Sequence, residues 1–449
     1  MAKFNREKVL RQLKFKRKWR SYSRYVYIAV PCVLCCLLCL YFAYSKFFVS
    51  EEQAVIRTTV GDFIYGDVVI SAYIDGEYSS TIPGKNDGYV VENVACDNGA
   101  VGKWDDNKWG LLTTNLTKRT KCNIYFKKLV TKVPDIIAQL DNSGKCPTMN
   151  ADGSVNVTGV EATNGYLCKA KDVYGDSYYY RGNVTNNYVK FADKYWRIVR
   201  INGDGTVRVI YDGTSAHANG ENSADRQIGT SAFNSSYNDN AYVGYMYGQT
   251  GASTYAVAHA NTNDSTIKAY IDNWYKTNIV GTTNEQYLAD NIFCNDRSIA
   301  NDNVGTGVGT TRTNYRWYWG PWEGGNHNDN MKLTCPQKND AFTVSDITNG
   351  NGALTYPVGL LSTDEIVLAG GWSASNSGYY LYSGQYWWAS SPFYFNGSYA
   401  FVRGVYSDGS ADYAGSVDDS YGVRPVFNLK AEVLAQGSGT ATDPYRISS

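Results

Sequence analysis

Residues 385–429 read QYWWASSPFYFNGSYAFVRGVYSDGSADYAGSVDDSYGVRPVFNL, and the pattern of this stretch decides what the C-terminal part of the chain folds into. It opens on Trp387 and Trp388 and closes on Gly422-Val423-Arg424-Pro425. Short alternating runs, Tyr399 to Val405 and Ala411 to Val417, are separated by the turn formers Asn396-Gly397 and Asp408-Gly409. Alternation bounded by Asn-Gly or Asp-Gly predicts β-hairpins. The turns and outward positions are Tyr, Ser, Asn, Asp and Gly. Tyr supplies broad amphipathic contact area at low entropic cost, and Ser, Asn and Gly adapt to a partner.

Tyr379, Tyr380, Tyr382, Tyr394, Asn396, Tyr399, Tyr406, Asp408 and Tyr413 are therefore the candidate contact residues of a ligand-binding face. The competing reading of any one tyrosine is cross-strand packing. Trp387 and Trp388 read as core or cleft-wall residues. Arg424 reads as a partly buried ion-pair or hydrogen-bond anchor on the last strand, because Arg is seldom buried unpaired.

This stretch and four upstream segments carry a resemblance. The segments are YWRIVRINGDGTVRVIYDG (Tyr195 to Gly213), IGTSAFNSSYNDNAYVGYMYG (Ile228 to Gly248), FCNDRS (Phe293 to Ser298) and LTYPVGLLSTDEIVLAGG (Leu354 to Gly371). Together they resemble a bacterial surface-protein family of unassigned function with a C-type lectin-like domain, distantly similar to the formylglycine-generating enzymes. The resemblance covers roughly residues 175 to 449 and implies two main helices beside a twisted sheet of short strands. It does not imply a function, since such a fold hosts unrelated activities. Formylglycine-generating enzymes use a reactive cysteine pair, and here no cysteine follows Cys335. The Glu-Pro-Asn, Gln-Pro-Asp and Trp-Asn-Asp calcium motifs of sugar-binding relatives are missing from residues 175–449.

At 449 residues the chain has room for two or three domains, and 43% hydrophobic with 19% charged residues suits folded structure. The zero net charge hides an asymmetry: residues 1–24 hold ten Lys or Arg against Glu7, a net +9, so residues 25–449 carry −9. An acidic body argues against nucleic acid as a partner. Tyr25 to Ser45 is a run of 21 residues without charge, long enough for one helical crossing of a membrane. The basic residues before it would place the N-terminus in the cytoplasm and the C-terminus outside. A cleaved signal peptide is the alternative, with Ala43-Tyr44-Ser45 a loose match to a cleavage site.

Four of the ten cysteines, Cys32, Cys35, Cys36 and Cys39, lie inside that run. Cys96, Cys122, Cys146, Cys168, Cys294 and Cys335 remain, an even number that suggests three disulfides with fifteen connectivities. Nearest-neighbour pairing is the simplest, because each pair then falls in one segment.

The predicted architecture is a membrane-anchored α+β protein: an N-terminal transmembrane helix, a small all-β domain and a C-terminal C-type lectin-like domain. Its parts are a cytoplasmic basic segment (1–24), the transmembrane helix (25–45), the β domain (57–128), a linker helix with a disulfide-tied loop (129–175) and the lectin-like domain (176–449). Within these, Pro134 to Leu140 is a short helix and Asn202-Gly203-Asp204-Gly205 closes a hairpin. Ile267, Tyr270, Ile271 and Trp274 make one apolar helix face, Glu285 to Phe293 is a short helical segment, and Ser362 with Glu365 has capping-box spacing.

Catalytic signatures are missing. His217, His259 and His327 have no metal-ligand spacing, and no nucleophile elbow, phosphate loop or dinucleotide fingerprint occurs. Asp408, Asp412, Asp418 and Asp419 read as turn or solvated carboxylates, with a calcium site as the minor alternative and no other cofactor expected. The expectation is a single-pass plasma-membrane protein that binds an extracellular protein or glycan through the Tyr/Asn/Ser-rich face. The alternatives are an enzyme without the reactive cysteine pair, and a structural cell-envelope protein. An aromatic surface would favour recognition, and a cleft with convergent perturbed ionisable groups would favour an enzyme.

Overall fold

The hairpin expected at Asn202-Gly203-Asp204-Gly205 forms between strands Lys194–Ile201 and Val207–Gly213 and is central to the larger of two compact units. The computed structural model describes residue 14 and residues 63–65, 68–85, 87–106, 108–115, 120–160, 162–318, 330–371, 374–411 and 414–447. The units are residues 1–129 and 130–449.

In the first unit, strand Val68–Ile74 pairs in parallel with Thr120–Lys128, and Tyr89–Cys96 runs antiparallel to Thr120–Lys128. Phe63–Tyr65 and Glu77–Ser79 extend the sheet, and Val101–Asp105 with Gly110–Thr114 makes a separate hairpin. Alternation in Thr120–Lys128 buries Cys122, Ile124 and Phe126 on one face. Trp104 and Trp109 pack there, with ring centroids 5.5 and 6.2 Å from that of Phe126. Cys96 and Cys122 face each other across paired strands and are joined by a disulfide.

In the second unit, seven strands form an antiparallel sheet. Its order is Tyr166–Asp172, Gly175–Arg181, Lys194–Ile201, Val207–Gly213, Val426–Leu429 and Val358–Gly359, with Tyr188–Phe191 also paired to Lys194–Ile201. Both faces of Lys194–Ile201 are covered, so its two arginines must be partnered. Arg200 donates to Asp172 at 2.8 Å and to Glu365 at 3.2 Å. Trp196 stacks on Phe427 at 4.6 Å, next to Tyr211 and Trp274.

Helix Thr266–Asn278 begins at Ser265, whose hydroxyl accepts from the Lys268 amide, and it buries Ile267, Ile271 and Tyr275. Helix Thr363–Ala369 has the full capping box between Ser362 and Glu365 and ends at Gly370, whose φ is +116°. Helix Val133–Ile137 starts one residue before Pro134 and belongs to the second unit, as does strand Tyr166–Asp172. The region expected to be a linker, 129–175, therefore falls almost wholly inside that unit. Disulfides also join Cys146 to Cys168 and Cys294 to Cys335.

Three expectations are corrected. The described chain is mostly β, in place of α+β, because most of its hydrogen-bonded backbone lies in sheets and its helices are few and short. No helix among the described residues is long and apolar enough to cross a membrane. The longest has 13 residues, a rise of about 20 Å against a hydrocarbon core of about 30 Å. The membrane-anchored architecture and the single-pass plasma-membrane location thus have no support in the structure; the run at 25–45 on which they rested lies outside the described residues. Lastly, Glu285 to Phe293 is helical only in the 3-10 turn Glu285–Tyr287 and ends in the short strand Phe293–Cys294. Past the turn, the Asp290 carboxylate accepts from the amides of Val344, Ser345 and Asp346, which ties this segment to another loop.

Candidate functional site: a tyrosine cluster at the end of a sheet

The stretch from Trp387 to Gly422 builds a second sheet, ordered Thr230–Ser231, Tyr421–Gly422, Trp387–Phe395, Ala400–Val405 and Ala414–Ser416, with Thr313–Asn314 paired to Trp387–Phe395. Pairing between Trp387–Phe395 and Ala400–Val405 shifts register around Pro392, which has no N–H to donate. The Asn396 side chain accepts from the amides of Ser398 and Tyr399 and so closes the hairpin. At the opposite end the chain turns at Asp408-Gly409. Tyr406 and Ser410 are bonded through their backbones there, and Asp408 accepts from Ser375 at 2.7 Å and from Ser410 at 2.9 Å. Only glycine fits at 409: its φ is +88°, and a Cβ would sit 2.3 Å from the Asn376 carbonyl oxygen.

Around this turn lie four partly exposed tyrosines. The Tyr386 ring lies 5.3 Å from Tyr406 and 5.6 Å from Tyr421, and the Tyr421 hydroxyl donates to Asp419 at 3.1 Å. Tyr382 borders Gly409. Trp388 supports Tyr421 from below at 4.8 Å. A second aromatic group occupies the hairpin end, where Tyr237 stacks on Tyr399 at 4.6 Å and Tyr394 on Phe401 at 4.6 Å. Tyr399 is 42% exposed and Tyr386 38%.

The cluster rests on a buried ionic knot. Asp212 accepts from Arg226 at 2.8 Å and from Arg424 at 2.9 Å, with Arg197 at 3.9 Å, and all four side chains are buried. The guanidinium groups left over bind main chain. Arg226 donates to the carbonyls of Tyr380 and Tyr382, and Arg424 to that of Leu381 at 2.6 Å. The knot thus clamps residues 380–382, the segment that presents Tyr382. Burial, then repulsion from Arg226, lowers the Arg424 pKa to about 9.

The candidate residues therefore divide. Tyr382, Tyr394, Asn396, Tyr399, Tyr406 and Asp408 are at least partly exposed. Tyr379 and Tyr380 are fully buried, which removes them as contact residues; their hydroxyls have no hydrogen-bond partner among the described residues. Tyr413 and Asp412 lie outside the described residues. Trp387, Trp388 and Arg424 are buried. Tyr386 and Tyr421 were not singled out from the sequence, and Asp419 was read there only as a turn or solvated carboxylate with calcium as the alternative. For Tyr386 a signal existed, since it immediately precedes the buried tryptophan pair at the mouth of the strand.

A charged cleft lies elsewhere in the unit, lined in part by Arg200, Arg208, Arg316, Lys332, Asp364 and Glu365. Its arginines and carboxylates bond one another: Arg208 reaches Glu365 at 2.5 Å, Arg200 shares that carboxylate, and Arg316 bonds Asp364; the Lys332 ammonium lies 3.8 Å from Asp152. Burial lowers Arg208 to about 10. Burial works to raise Glu365, yet Arg208 and Arg200 hold it below the usual carboxylate range. The space open to water is about 20 Å³, enough for about one water molecule. Among the described residues no group of three or more His, Cys, Asp or Glu side chains is placed to hold a metal ion.

Residues 325–431 match the model of a domain of unknown function (DUF6273). The matched region, less than half of the chain, contains all four tyrosines of the cluster and the turn at Gly409. No curated protein and no solved structure matches the chain.

Proposed function

We propose that this protein is a recognition protein that binds a macromolecule, protein or glycan, through the tyrosine cluster at the end of the second sheet. The observation that carries the reading is the contact of Tyr386 with Tyr406 and Tyr421 around a turn that only glycine can make. Aromatic side chains held partly exposed on a rigid scaffold lose little entropy on binding and bury large area when covered. The Asp212 knot and the Trp388 support give the surface that rigidity. The charged cleft favours this reading over an enzyme, because its arginines and carboxylates are bonded to one another and the room beside them is that of about one water.

The test is binding of the full chain to glycan and protein arrays, beside a variant carrying Tyr386→Ala and Tyr406→Ala. Saturable binding that the variant loses by about tenfold or more, roughly 1.4 kcal/mol or above, is the expected result. Binding that the double variant retains in full would remove the cluster from the function.

A further inference from the structure

Resting on the recognition reading above, we propose that the partner presents Lys and Arg side chains: a basic protein segment seats on the patch formed by Tyr382, Tyr386, Tyr406 and Tyr421. Charge selects this class. Residues 374–422 contain four acids, Asp408, Asp412, Asp418 and Asp419, and a single cation, Arg403. Arg403 does not offset them at the surface. It is 2% exposed, lies 4.0 Å from the Phe393 ring centre and donates to the Trp317 carbonyl at 2.6 Å.

Two of the acids belong to the same turns as the rings. Asp408 is two residues from Tyr406 in the turn closed by Gly409, and Asp419 accepts from the Tyr421 hydroxyl. Asp408 keeps its charge, since the bonds from Ser410 and Ser375 outweigh burial and lower its pKa. Asp419 is placed differently: burial and the neighbouring Asp418 push its pKa up, so an arriving cation relieves a repulsion already present. Tyrosine ring faces attract ammonium and guanidinium groups, and carboxylates beside them add direct pairing. The same charges repel nucleic acid, anionic lipid and acidic glycans, and they add nothing for a neutral glycan.

The probe is a fluorescent oligolysine peptide titrated into the full chain at low and at moderate salt, with oligoglutamate and a neutral oligosaccharide as comparators. The variants are Asp408→Asn with Asp419→Asn, Tyr386→Ala, and Asp135→Asn on helix Val133–Ile137 as a control for general negative charge. The expected result is saturable oligolysine binding that weakens with salt. It falls about tenfold in the double Asn variant and in Tyr386→Ala, and changes less than about twofold in Asp135→Asn. Unchanged thermal melting of the double Asn variant shows that the loss is not unfolding. Absence of oligolysine binding overturns the inference, as does equal weakening by Asp135→Asn, which would mark diffuse attraction. Neutral-glycan binding that Tyr386→Ala abolishes and the double Asn variant keeps would overturn the basic partner while leaving the recognition reading intact. Failure of the arrays as well as the peptide would remove both.

Discussion

His259 shows how much a single side chain owes to its surroundings. Its ring stacks on Tyr255 at 4.1 Å, its Nε2–H donates to the Gly307 carbonyl at 2.9 Å, and its Nδ1 has no partner among the described residues. Burial, then the nearby Arg297, lowers its pKa to about 3. Unfolded, a histidine titrates near 6.5, so as pH falls the unfolded chain takes the proton first. The stability this residue contributes is complete above about pH 6.5 and is lost between there and about 3, at roughly 1.4 kcal/mol per pH unit. Urea unfolding of the wild type and of His259→Asn between neutral pH and about pH 4.5 checks this: the variant declines less steeply, and an equal decline would refute it. In the sequence His259 is one of three scattered histidines in loop-like surroundings, and nothing local marks it as buried. The same holds for Asp212, which three arginines from distant segments converge upon. Arg424 could be read as an anchor from its chemistry; the carboxylate it anchors to could not.

Elements whose signals are local were legible. Ser362 and Glu365 make the reciprocal cap expected from their spacing, and Gly370 ends the same helix in the left-handed region. Ser362→Ala should cost about 1 kcal/mol in urea unfolding. Gly370→Ala should cost at least as much, because a Cβ there combines a φ of +116° with a 2.7 Å approach to Ala162. A Gly370→Ala protein as stable as the wild type would mean that this glycine is not required. The hairpins at Asn202-Gly203-Asp204-Gly205 and Asn396-Gly397 were likewise written in their turn residues. Other features depended on neighbours. Helix Thr266–Asn278 buries Lys268, which its apolar spacing does not announce, because Asp264 and Asp272 pair with it at 3.2 and 2.6 Å. The segment does not continue as helix past the 3-10 turn Glu285–Tyr287, and the Asp290 side chain instead bonds to residues 344–346.

Across the molecule, the two units carry separate cores. Cys96–Cys122 ties strand Tyr89–Cys96 to Thr120–Lys128, the strand that carries Ile124 and Phe126 of the first unit's core, closing a separation of 26 residues. Replacing both cysteines by serine should destabilise that unit by about 2–4 kcal/mol. Hydrogen exchange reads the units separately: amides of strands Val68–Ile74 and Thr120–Lys128 lose protection, while those of Lys194–Ile201 and Val207–Gly213 keep it. Loss of protection in both would refute independent cores. By itself the sequence determined what depends on near neighbours: turn positions, caps, helix faces and a C-terminal region rich in tyrosine; for the cysteines it offered nearest-neighbour pairing as the simplest of fifteen connectivities, and the structure has that pairing. Tertiary structure alone decided which tyrosines reach solvent. Tyr379 and Tyr380 share the residue type of Tyr382 and Tyr386, yet both are fully buried, in a stretch where the carbonyls of residues 380–382 accept from Arg226 and Arg424, which come from distant segments. Burial is a property of what packs over a side chain, and those atoms come from residues far away in the sequence.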